Sequence, residues 1–246
     1  ASVDGGVGSD VPGPDSIQAQ TICTDPRMVL FENFVTEEEV GHLIQLCDGR
    51  WEQSKTSKGT ESELLAAKLK GERQGAYGEE TLSEVRTSTS VRLRWTESEV
   101  VDKISARVAS VSGYNLEFVE PLVVLKYEPG QFFKVHHDGA MRPATVFIYL
   151  NDLPEDGGGE TMFPLLKFQV KPKARTALMW YNRLEDGSAD ERMHHEARPV
   201  LSGTKYGINC FLSIHSQRDA SNIEIVEVGA SKNTDVDEPQ DSAVAA

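Results

Sequence analysis

The chain has 246 residues, an apolar share of 39% and a formal charge of −14 at pH 7: enough apolar substance for one sizeable core, and the wrong sign for a surface that first meets nucleic acid or an anionic membrane. Its three cysteines, Cys23, Cys47 and Cys210, are odd in number and far apart, which argues against a disulfide framework and for reduced thiols. No run of eighteen apolar residues exists, and the opening ASVDGGVGSD has neither the basic nor the apolar region of a targeting segment. Because the sequence begins at Ala rather than Met, that absence settles little; the lack of disulfide logic and of an ER-retention tail tilts the expected compartment towards the cytosol, and oligomeric state is left open.

Taken in chain order, residues 1–26 are expected to be a flexible N-terminal segment rich in Gly, Pro, Asp and Ser, and residues 218–246 an acidic flexible tail. The folded body then runs over 27–217, opening with the strand-like MVLFENFV. A first helix is predicted from Thr36, with Glu39 completing a capping box and Val40, Leu43, Ile44 and Cys47 on one face, ending near Gly49. A second is predicted from Thr96 with Glu99 in the same relation, with Val100, Ile104, Val108 and Val111 as its stripe and Gly113 as its stop. Between them, 52–86 is a polar insertion with one short helical stretch, SELLAAKLK, and reads as a lid. From Pro121 the texture changes to short β-branched and aromatic runs: PLVVLKY, TVFIYLN, MFPLLKFQV, TALMWY and YGINCFLSI. This spacing predicts a sandwich or barrel, mostly β with flanking helices, rather than a parallel sheet.

An iron(II) oxygenase needs two imidazoles and a carboxylate on one face of the metal, with three positions left for a co-substrate and dioxygen. On an extended strand, residues i and i+2 point the same way, so His136 and Asp138 can share a metal while His137 faces away, and a distant His195 supplies the third ligand. Lys205 follows ten residues after His195, where a buried cation would meet the distal carboxylate of 2-oxoglutarate. His42 and His215 lack a partner pattern. The glycines 157–159 read as a hairpin turn, since neither a lysine nor a helix N-terminus follows to make a phosphate cradle.

The stretch YEPGQFFKVHHD resembles the prolyl 4-hydroxylase segment Tyr-x-x-Gly-Gln-x-Tyr-x-x-His-x-Asp, with Phe133 at a position where that family often has Tyr. RPATVFIYLNDLPEDGGGETMFP, KPKARTALMWYN and HEARPVLSGTKYG are similar to its next segments in the same order, so the resemblance covers roughly residues 27–215. It implies a double-stranded β-helix (jelly-roll) core. It also implies Fe(II), 2-oxoglutarate and O2, with ascorbate as a further expectation. By the resemblance, His136, Asp138 and His195 are the metal ligands, since only His195 and not His194 stands at the family's distance from Pro199 and Lys205. Lys205 anchors the 2-oxoglutarate tail, Tyr127 and Tyr149 turn hydroxyls to the co-substrate, Thr161 lines the pocket and Arg142 contacts substrate.

The implied substrate is a proline in a peptide or protein, with no nucleic-acid or membrane partner. The sequence departs from the collagen-type and plant pattern where a peptide would be gripped. Only three residues separate Asp138 from Arg142, Lys205 is followed by Tyr206 rather than Trp, and Phe211, Ser213 and Arg198 stand at positions of Trp, His and Cys. The alternatives are therefore a hydroxylase of another peptidyl side chain or of a free amino acid, or a jelly-roll metal-binding module without turnover.

Overall fold

The computed structural model describes residues 17–57, 80–82 and 85–218; the expected helix over 62–70, the acidic tail from 219 onward and residues 1–16 lie outside them. Eight strands make the larger sheet: β1 (Gln18–Thr24), β2 (Arg27–Glu32), β3 (Glu52–Gln53), β6 (Thr89–Arg92), β7 (Val123–Tyr127), β9 (Ala144–Tyr149), β12 (Thr176–Tyr181) and β14 (Lys205–Leu212). Their order is β1-β2-β12-β9-β14-β7-β6-β3. A smaller sheet, in order β11-β10-β13-β8, is made of β8 (Phe133–His136), β10 (Thr161–Phe163), β11 (Phe168–Val170) and β13 (His195–Ala197). A separate ribbon pairs β4 (Lys55–Ser57) with β5 (Glu80–Leu82). The pairings are antiparallel, as in the jelly roll that the resemblance implied.

Why β9 and β14 read as near-continuous apolar runs follows from what covers them. One face, with Val146, Ile148, Ile208 and Cys210, packs into a core shared with two helices, α1 (Glu37–Cys47) and α2 (Glu99–Ser112). The other, with Phe147 and Tyr149, joins Tyr127, Phe163 and Trp180 in a second core towards the smaller sheet. Strands buried on both faces lose the polar alternation of a half-exposed sheet. Gly207 is where this packing is tightest, because a Cβ there would come within 2.5 Å of Phe147 Cζ.

The first helix matches its sequence signal: Thr36 accepts from the Glu39 amide at 3.0 Å and the Glu39 carboxylate accepts from the Thr36 amide at 2.9 Å. Glu39 also takes both arms of Arg107 from α2, at 2.9 and 3.0 Å, with both side chains nearly buried. One carboxylate thus caps α1 and ties it to α2. Breaking a buried ion pair from one side strands the other charge, so Glu39→Ala is expected to cost about 3–5 kcal/mol in urea unfolding with no direct effect on the site.

Two expectations are corrected. The second helix is capped by Ser98, not Thr96, because Thr96 is taken up in a turn where the Glu97 amide donates to Arg94 O and the Arg94 amide donates to the Glu97 carboxylate. The N-terminal segment is not flexible to residue 26: Gln18–Thr24 pair along β2 as an edge strand. Its side chains are mostly exposed, so backbone pairing rather than apolar burial makes the strand.

Candidate active site

The smaller sheet brings the metal-ligating types together. His136, at the end of β8, is the cross-strand partner of His195 at the start of β13, and their ring centroids lie 4.4 Å apart. Asp138 stands just past the end of β8, so the extended geometry expected of the pair is met by His136 alone. Its Oδ1 is 3.7 Å from His136 Nε2 and its Oδ2 3.9 Å from His195 Nε2, and the three candidate ligand atoms all lie within 4.8 Å of one another.

The two rings are aimed by their backbones. His136 Nδ1 lies 2.9 Å from Lys134 O and His195 Nδ1 2.9 Å from Met193 O. A carbonyl only accepts, so each Nδ1 carries the proton and each Nε2 lone pair faces the centre. Burial, with His195 beside it, pushes the His136 imidazole down to about 3, which keeps it a neutral ligand through the physiological range. Burial alone would raise the Asp138 carboxyl, but the two imidazoles and the Thr145 hydroxyl hold it below its ordinary value. His137 turns away, with Nε2 3.1 Å from Asp190 O and Nδ1 accepting from the Gly139 amide. His194 also turns away, with Nδ1 2.9 Å from Glu191 O, which resolves the register of the two adjacent histidines.

Lys205 lines the same cavity and is 1% exposed. Its Nζ donates to Gly159 O at 2.7 Å and sits 5.1–5.6 Å from the ring centroids of Phe147, Tyr127 and Tyr149. Gly159, at a φ of +71°, belongs to the turn after Pro154, so the glycine run serves to bring a carbonyl to this lysine. Burial pulls the ammonium down to about 7, with only the more distant Glu160 opposing.

Residues 122–213 match the family described as the 2OG-Fe(II) oxygenase superfamily. Prolyl 4-hydroxylase 5 of Arabidopsis thaliana is 30% identical over 235 residues, spanning 84% of this chain and 75% of that protein. The chain belongs to the prolyl 4-hydroxylase family. Another similar relative, the probable prolyl 4-hydroxylase 11 of the same plant, is 33% identical over 204 residues, 77% of this chain and 68% of that one. Among solved structures, the viral collagen prolyl hydroxylase of Paramecium bursaria Chlorella virus-1 in its 2OG complex matches with a TM-score of 0.55 and 25% identity, over 76% of this chain and 94% of its own. This family member is a 2-oxoglutarate-dependent dioxygenase using Fe(II), 2-oxoglutarate and O2.

The donor set of this prolyl 4-hydroxylase fits those groups. Two imidazoles and a carboxylate suit iron(II) with positions to spare, and a buried ammonium lining the same cavity suits a dicarboxylate that chelates at its other end. Trp180 lines the cavity edge-on to His195 with its indole N–H buried and unpartnered within the protein. Nearby, Arg86 lays its guanidinium 4.6 Å from the Phe133 ring centroid, and its Nη2 is likewise buried and unpartnered. Buried donors without acceptors are costly, and oxygen-rich ligands would satisfy them.

The remaining expected residues divide. Thr161 lines the cavity and accepts from the Tyr149 hydroxyl at 2.8 Å, so Tyr149 stands behind it. Tyr127 lines the cavity, and burial raises its hydroxyl above the ordinary range, with the nearby Arg86 charge opposing. Arg142, expected to contact substrate, holds Glu120 with both arms, each at 2.8 Å, lies 3.8 Å from the Phe211 ring centroid, and its charge is felt at Asp138. Sequence reading missed Arg86, Trp180 and Asn209, which also lines the cavity. Asn209 could have been found by counting two-residue steps along β14 from Lys205, since Gly207 and Asn209 share its face.

Proposed function

We propose that this dioxygenase hydroxylates a proline residue in a peptide or protein, with His136, Asp138 and His195 holding Fe(II) and Lys205 holding the distal carboxylate of 2-oxoglutarate. The observation that carries the reading is a cluster of three ligand atoms, two of them on His136 and His195, which line one cavity together with the buried Lys205. Bound there, iron with 2-oxoglutarate supplies O2-driven hydroxylation: one oxygen atom enters a C–H bond, the other enters succinate, and CO2 leaves. The chain's own part is to aim two imidazoles through the Lys134 and Met193 carbonyls, to orient the co-substrate from Lys205, and to keep water out with Tyr127, Phe147 and Trp180.

A peptide or protein substrate is favoured over a free amino acid by the named relatives, one of them a collagen prolyl hydroxylase. The proline itself rests on the named relatives, two of which are called prolyl 4-hydroxylases and one a collagen prolyl hydroxylase. A metal-binding module without turnover has no use for a buried lysine in the wall of the cavity.

The test is succinate formation from 2-oxoglutarate with iron(II) and ascorbate under air, with and without short proline-rich peptides, and mass spectrometry of the peptides. Peptide-stimulated turnover with a 16 Da gain on proline is the expected outcome. Turnover on another side chain or on a free amino acid would replace the substrate, and no turnover with retained metal binding would remove the enzyme reading.

A further inference from the structure

Asp138 offers a metal two oxygens, and one of them is already engaged. Its Oδ2 accepts the Thr145 hydroxyl at 2.7 Å, a short bond between two buried groups. Thr145 lies on β9, on the face that carries Phe147 and Tyr149 into the inner core. Its oxygen is in turn reached by Asn182 Nδ2 at 3.0 Å. The direction of this chain is fixed by its far end. Asn182 Nδ2 also donates to Arg142 O at 2.8 Å, and a backbone carbonyl can only accept, so the amide nitrogen must face that way. Its second hydrogen then goes to the Thr145 oxygen, which leaves the single hydroxyl proton of Thr145 for Asp138. Asn182 itself is fully buried and held at both backbone atoms, its N–H donating to Pro143 O and its carbonyl accepting from the Asp190 amide, each at 2.9 Å.

This arrangement has a cost. Asn182 Oδ1 is buried with no partner in the protein, so the two bonds its amide nitrogen donates, to Arg142 O and Thr145, are kept at the expense of one stranded acceptor. A local rule broken inside an otherwise satisfied network marks a position kept for its chemistry. The chemistry at stake is a count of coordination positions. Three protein atoms and two co-substrate oxygens leave one position on an octahedral metal, and a carboxylate that chelated through both oxygens would fill it.

We propose that Thr145 and Asn182 are positioning residues that hold Asp138 to one ligating oxygen and so keep the last metal position open for dioxygen. The inference rests on reading Asp138 as a metal ligand, and the experiment separates the two. Manganese(II) is loaded in place of iron with saturating 2-oxoglutarate, and water-proton relaxation counts the exchangeable water left on the metal.

Wild type is expected to show about one such water. Thr145→Val, which keeps the shape of the side chain and removes the hydroxyl, is expected to lose it, while manganese binding and the KM for 2-oxoglutarate stay within about threefold and kcat falls about 10–100-fold, the range seen when a partner of a ligand is removed. Thr145→Ser is expected to restore the water. Asn182→Ala, with Thr145 intact but free to turn, is expected to lose part of it, and serves as the second variant if Thr145→Val is not folded by circular dichroism. A wild-type water count in both Thr145→Val and Asn182→Ala, or in Asn182→Ala alone where Thr145→Val is unfolded, would overturn the proposal. Manganese bound by Asp138→Ala as tightly as by wild type would instead remove the ligand reading beneath it.

Discussion

His195→Ala is expected to lower succinate formation by more than about a hundredfold and to leave the purified protein with little bound iron, whereas His194→Ala keeps both within about twofold. The bound sets loss of a ligand above the 10–100-fold that loss of a ligand's partner costs. The contrast follows from where adjacent side chains on an extended segment point. His195 is buried between Trp180, edge-on at a centroid separation of 4.8 Å, and His136, tilted at 4.4 Å, and its Nδ1 is pinned to Met193 O. His194 points the other way, towards Glu191. Because His195 is packed against Phe163 and Trp180, its truncation also opens a cavity, so His195→Gln, which fills the volume, separates loss of metal from loss of packing. Iron content measured on the folded variant, beside its melting temperature, decides between them. Equal losses in both alanine variants would mean that the register is wrong.

What could be read in the chain before its structure follows from how tightly each feature is constrained. His-x-Asp alone is a weak signal, and it is the four ordered blocks resembling one family that single out His136, Asp138 and His195, whose candidate ligand atoms the structure places within 4.8 Å of one another although Asp138 stands past the end of β8. The capping box of α1 was legible because Thr36 and Glu39 satisfy backbone groups only three residues apart. Long-range partnerships leave no such mark. Glu120 takes the arms of Arg142 from a position 22 residues earlier, and Asn182 reaches Thr145 from 37 residues later. Neither spacing repeats, and an isolated buried asparagine looks in sequence like any turn residue. Strand β1 was missed for the opposite reason: its QAQTICT has little apolar signal, and its order comes from pairing with β2.

Lys205→Met is expected to act in opposite directions on stability and on co-substrate binding. In the folded protein the ammonium is pulled down to about 7 from an ordinary 10.5, so folding must work against the charge wherever the unfolded chain is protonated. Between pH 7 and 10.5 the unfolded state binds more protons than the folded one, so wild-type stability rises with pH through this window, and below pH 7 the full penalty applies. At pH 7 that penalty is roughly 4 kcal/mol. Methionine removes it, less about 1–3 kcal/mol for the Gly159 carbonyl left without its donor, so Lys205→Met is expected to unfold at higher urea than wild type near neutrality and to lose that advantage towards pH 10. Binding runs the other way. A charge-assisted bond to a buried carboxylate is worth about 1.5–3 kcal/mol, and an unpaired carboxylate costs more, so the KM for 2-oxoglutarate is expected to rise by about two orders of magnitude. In wild type the anion recruits the protonated lysine, so affinity is flat below pH 7 and weakens as pH rises above it. Calorimetric titration at pH 8 in buffers of different ionisation heat is expected to show proton uptake approaching one per 2-oxoglutarate bound, and none in Lys205→Met. Equal proton uptake in the two proteins would place the distal carboxylate elsewhere, while a destabilised Lys205→Met would mean that the lysine is held by an acceptor stronger than the single carbonyl of Gly159.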